Sequence, residues 1–170
     1  MPSPANTPRF RLQQVCDICE VSERRLRSWL DRKQIALDAD SERKEGTTAH
    51  RRFSAFDLVR IGTVSRLVDY GAPIAEANRL AKEMLDGMIG LDGMASWRNT
   101  PVDAIFAALN CHKVVVWCNP NVGHMPTTWQ WERYSDKRAD GEVAAVRINF
   151  ETLGEVLKNG INIYASEGSD

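Results

Sequence analysis

Apolar residues recur at helical spacing almost from the start of the chain. Leu12, Val15, Cys16 and Cys19 make one stripe and predict a short helix over 12–19. Glu20-Val21-Ser22 breaks the stripe, and Ser22 is a good N-cap because its hydroxyl can accept from the free N–H groups of a following turn. The next predicted helix, 23–33, turns Leu26, Trp29 and Leu30 inward. Arg24, Arg25, Arg27, Ser28, Asp31 and Arg32 are left pointing mostly outward. The result is two short helices joined by a tight turn, the second with an arginine-rich outer face.

Downstream the pattern changes several times. Ile35-Ala36-Leu37 predicts a short strand, and 38–49 is a polar stretch without periodicity that suits the mobile tip of a wing. His50-Arg51-Arg52-Phe53 returns from it. Ser54 is placed to cap a third helix, with Phe56, Leu58, Val59, Ile61, Val64, Leu67 and Val68 on its buried side. Gly71-Ala72-Pro73 separates it from a fourth helix over 73–85, striped by Ile74, Ala77, Leu80, Ala81, Met84 and Leu85. Gly87, Gly90 and Gly93 predict the end of that helix and a glycine-rich linker.

Beyond the linker the chain reads as a helix over 102–110, then strands over 113–118, 127–134 and 143–150 with turn residues between them. In the last of these Ala144, Val146, Ile148 and Phe150 share a face. A helix over 151–158, an Asn159-Gly160 C-cap signal and a short strand over 161–164 would complete it. The expected class is α+β: a winged helix-turn-helix followed by a small α/β domain of three or four mainly antiparallel strands. The expected divisions are a disordered leader over 1–9, which holds three prolines, a helical domain over 10–86, a linker over 87–100 and a second domain over 101–166. No internal repeat is seen.

Composition narrows the classes further. A length of 170 residues with 43% hydrophobic content suits one domain or two small ones. No apolar run is long enough to span a bilayer and Met1-Pro2-Ser3-Pro4 opens no signal core, so a cytoplasmic, nucleoid-associated protein is expected, with no membrane partner. The net charge of −1 argues against a nucleic-acid partner until its distribution is considered. Residues 1–80 hold 14 Lys and Arg against 11 Asp and Glu, whereas 81–170 hold 8 against 12. Phosphate binding needs a basic face, not a basic protein. The excess is modest, so a homodimer or a longer array on DNA is expected.

A helix-turn-helix is the motif that two such helices imply. The resemblance reaches beyond it. Val21-Ser22, then Leu26-Arg27-x-Trp29, a polar loop, and Arg51-Arg52-Phe53-Ser54-x-x-Asp57-Leu58 follow in the order found in the DNA-binding domain of MerR-type regulators, which this chain resembles over about half its length. The resemblance implies a bacterial transcription regulator whose second helix enters the major groove. It implies a β-wing closed by the Arg-x-aromatic-Ser segment, Arg27 on phosphate and Arg51 holding the backbone. The chain departs from the family at Lys33-Gln34, where a Gly-Leu pair is common, and at Ser28, where Tyr is frequent. The glycines after Leu85 also predict that the family's long dimerisation helix is missing.

The expected DNA-contacting residues are Ser22, Arg24, Arg25, Arg27, Ser28, Arg43, Lys44, Arg51 and Arg52. Their competing reading is a solvated charged face. Cys16-x-x-Cys19 has the spacing of a metal or redox pair, but both fall on the inner stripe of the first helix and read as core. Cys111, His112, Cys118 and His124 do not reproduce a metal-site spacing, so no cofactor is expected. Trp117, Trp129, Trp131 and Tyr134 form a candidate effector or assembly surface, with plain packing as the competing reading. No Ser-His-Asp order, phosphate loop or catalytic carboxylate pair appears, and no enzymatic activity is expected.

The functional expectation is a sequence-specific transcription regulator on double-stranded DNA, self-associating through its second domain, with RNA polymerase as a further candidate partner. An architectural DNA-bending protein, such as an excisionase or segregation factor, is the main alternative. A protein-interaction adaptor is the third.

Overall fold

A computed structural model describes residues 9–35, 37, 51–91, 113–119, 128–133, 144–149, 155–156 and 158–160; for 87–91 and the strands it describes the backbone alone. Four helices come first: α1 (Leu12–Cys19), α2 (Glu23–Asp31), α3 (Ala55–Asp69) and α4 (Ile74–Leu91).

Each short helix has a local reason to start and stop. At the start of α1 the Arg11 N–H donates to Gln14 Oε1 at 2.8 Å. The helix stops where Glu20 turns left-handed (φ 52°) and the N–H groups of Glu20 and Val21 return to the Cys16 carbonyl. Ser22 then caps α2 as expected, its Oγ accepting from the Arg25 N–H at 3.3 Å. That helix closes two residues earlier than periodicity suggests, because Lys33 is left-handed (φ 53°) and Gln34 N–H reaches back to the Trp29 carbonyl.

The central element is α3. Ser54 and Asp57 form a reciprocal cap: Ser54 N–H donates to Asp57 Oδ2 at 2.9 Å, and Asp57 N–H donates to Ser54 Oγ at 3.1 Å. These bonds and the positive end of the helix dipole accommodate the fully buried Asp57 carboxylate. Sequence periodicity assigns α3 one apolar side, but Ala55, Asp57, Arg60, Thr63 and Ser65 are buried as well. The helix runs through the middle of the domain and packs against both α1 and α4. From α4, Ala77, Leu80, Ala81, Met84 and Leu85 complete the core. Gly71, at φ 97°, makes the sharp turn between the two helices.

Three expectations change here. The predicted strand at 35–37 is absent at its described positions: Ile35 is a buried bend residue, and Phe53 instead makes an isolated antiparallel bridge with Phe10. The fourth helix does not stop at Leu85 but continues through Gly87 and Gly90 to Leu91. Each interior glycine costs a helix about 1 kcal/mol, which weakens it without breaking it. Gly160 is no left-handed C-cap, since 158–160 is still helical.

The expected α+β class with an α/β second domain is also corrected. The described interior is helical: among the residues whose side chains the structure describes, the buried ones lie between Phe10 and Leu85. Further along, β1 (Lys113–Asn119), β2 (Thr128–Arg133) and β3 (Ala144–Asn149) pair antiparallel in the order β2-β1-β3. Antiparallel strands need no crossover helices. Alternating residues can therefore form a ladder without implying the helical layer that an α/β unit requires. The expected helix over 102–110 lies outside the described residues, as do the leader through residue 8, the segment 38–50 and the strand over 161–164.

Candidate nucleic-acid interface

The second helix is anchored from below. Leu26 is completely buried and Trp29 is 6% exposed, so the orientation of α2 is set by the core and its opposite face is presented outward. Glu23, Arg24, Arg27, Ser28, Asp31 and Arg32 line a shallow open groove along that face. Arg24, Arg27 and Arg32 are exposed and Ser28 is half-buried. Periodicity turned Arg32 outward but left it out of the expected contacts; the groove brings it into line with Arg24 and Arg27.

The arginines differ in how they are held. Arg27 makes an ion pair with Glu23 one turn earlier, at 2.6 Å, with both side chains largely solvated. Such a pair is worth about 0.3–0.5 kcal/mol on a helix surface, so phosphate can displace it at little cost. Arg25 is engaged elsewhere. Its Nη1 donates to Asp69 Oδ1 at 2.6 Å, and its guanidinium lies 5.0 Å from the centroid of the Trp29 ring. Glu20, in the turn before α2, is paired with Arg66 of α3. Nothing local in the sequence signals these contacts, which join residues 44 and 46 positions apart.

Of the other expected contact residues, Ser22 uses its hydroxyl oxygen to cap α2. Arg51 is half-buried and Arg52 exposed where the chain approaches Phe53. Arg43 and Lys44 lie outside the described residues.

Cys16 and Cys19 are free and buried. Burial pushes the Cys19 thiol up, with the neighbouring Cys16 adding to it, and Cys19 Sγ donates to the Leu58 carbonyl at 3.4 Å. Burial, followed by the charges of Glu23 and Asp17, also raises Cys16. Both shifts disfavour the thiolate that a metal would require. Among the described residues no group of His, Cys, Asp or Glu could hold a metal ion, and no helix is long and apolar enough to cross a membrane.

Of the aromatic surface expected in the second half, the strand register places Trp117, Trp129 and Trp131. Trp117 pairs with Gln130, whereas Trp129 and Trp131 pair with Cys118 and Val116. Partners across an antiparallel ladder share a face and neighbours along a strand alternate, so Trp117 belongs to a different row from the other two. Tyr134 lies outside the described residues.

A capped two-helix unit seated on a longer central helix, with arginines on the outer face of its second helix, defines a helix-turn-helix domain of the DNA-binding kind. Residues 10–84 match the model of a family described as MerR HTH family regulatory protein. No curated protein matches the chain.

Proposed function

We propose that the protein is a sequence-specific DNA-binding transcription regulator that lays α2 in the major groove. The observation that carries this reading is the placement of Arg24, Arg27 and Arg32 on the exposed face of a helix whose other face is locked by Leu26 and Trp29. An arginine delivered by a rigid helix can pair bidentately with a guanine edge or grip phosphate. Arg24 is assigned to base reading, Arg27 to phosphate, and Arg43, Lys44, Arg51 and Arg52 to the adjoining backbone. The modest basic excess fits a chain that acts as a homodimer, with self-association beyond residue 100.

Binding measured against salt tests the assignment. Arg27→Ala should weaken binding to every duplex and lower the salt slope by about one unit, while Arg24→Ala should relax preference at one base position. If both variants bind as the wild type does, this face does not read DNA.

A further inference from the structure

We infer that Arg25 is a positioning residue for DNA reading rather than a DNA contact: with Asp69 it ties the start of α2 to the end of α3 and so sets the orientation of α2. The inference rests on the proposed function.

Its basis is a crossed pattern of charge. Glu20 and Arg25 flank the start of α2, and they meet Arg66 and Asp69, which lie three residues apart on α3. The acidic residue of the first pair faces the basic residue of the second, and the reverse holds at the other end. Three residues of helix span about 4.5 Å. Sliding α2 along α3 by that distance would bring Arg25 toward Arg66 or Glu20 toward Asp69, like charge against like. The pattern therefore favours one register. Trp29 adds a second restraint, because the guanidinium that bonds Asp69 also lies over the indole of a core residue on the same helix. A fork held on one side by a carboxylate and on another by a ring is committed away from the groove occupied by Arg24 and Arg27. Small errors in the orientation of α2 would displace those two side chains from base edges, so the pair acts on sequence preference more than on overall attraction.

The test uses the full chain and two duplexes: one selected from a random-sequence library by the wild type, and a scrambled version of it. Arg25→Met keeps an apolar stem beside Trp29, and Asp69→Asn removes the carboxylate charge. Each should lower the ratio of specific to non-specific affinity by about tenfold, and the double variant should fall no further than either single one. The salt slope should stay at the wild-type value in both, because no phosphate contact is lost. A fall in slope of about one unit for Arg25→Met on both duplexes, with Asp69→Asn unaffected, would overturn the inference and make Arg25 a contact. Wild-type discrimination by both variants would overturn it as well. Failure of the wider reading looks different: the wild type would select no duplex, or Arg24→Ala and Arg27→Ala would bind normally.

Discussion

Lys33 shows how one residue can carry a backbone cost that the rest of the domain absorbs. Its left-handed conformation (φ 53°) closes α2 at the position where MerR-type regulators commonly have glycine. A non-glycine residue there is disfavoured by about 1–2 kcal/mol, partly offset on replacement by the greater freedom glycine brings to the unfolded chain. The Lys33 side chain is exposed, so Lys33→Gly should stabilise the protein by about 0.5–1 kcal/mol. A lower melting temperature would show that the conformation is not strained. Glu20 is also left-handed, but its pairing with Arg66 would be lost, so Glu20→Gly should gain less. Cys19 carries a different cost. Its thiol stays protonated in the fold, while in the unfolded chain it ionises near pH ~8.5. Above that pH the unfolded state binds fewer protons, so stability falls as pH rises. The urea midpoint should drop between about pH 7.5 and about pH 9.5, and drop less in Cys19→Ala. Equal drops in the two proteins would mean that the buried thiol is not the source.

At the scale of elements, what was legible in the sequence was whatever depends on near neighbours. The stripe Leu12, Val15, Cys16, Cys19 and the cap at Ser22 are local signals, and α1 and the start of α2 fall where they point. Ser54 was legible as a cap for the same reason, although the reciprocal bond from Asp57 was not foreseen. The burial of Arg60, Thr63 and Ser65 was not legible, because it depends on what packs around α3 and not on the helix itself. Nor were the Arg25–Asp69 and Glu20–Arg66 pairs, which need the folded domain to bring distant residues together. The glycines after Leu85 misled for an energetic reason: their helix penalty is real but small enough for α4 to continue. The element on which the candidate site depends can be tested through its anchor. Trp29 is buried beneath α2, so Trp29→Ala should cost about 3–5 kcal/mol. An unchanged melting temperature would mean that the outward face of α2 is not set by this residue.

At the scale of the whole molecule, one contact ties the far end of the chain to the helix-turn-helix. A Cβ added at Gly160 would lie 2.7 Å from Ile18 Cγ1, 3.0 Å from Cγ2 and 3.2 Å from Cβ. Ile18 belongs to α1 and is only 3% exposed. Its branch at Cβ leaves essentially one rotamer in a helix, so it cannot swing aside as a long flexible side chain would. Gly160 therefore provides room: the backbone of the last described turn approaches α1 more closely than any side chain would permit. Gly160→Ala should destabilise the protein by about 1–3 kcal/mol through overpacking. A loss of turn geometry would act through Gly160 alone, whereas this cost requires the atoms of Ile18. It should accordingly shrink in an Ile18→Ala background, where Cγ1 and Cγ2 are gone and only the Cβ contact at 3.2 Å remains. Measured as a thermodynamic cycle, the coupling should make up most of the cost of the single glycine substitution. If Gly160→Ala costs the same in both backgrounds, residues 158–160 do not rest on α1, and the end of the chain folds independently of the domain that carries α2.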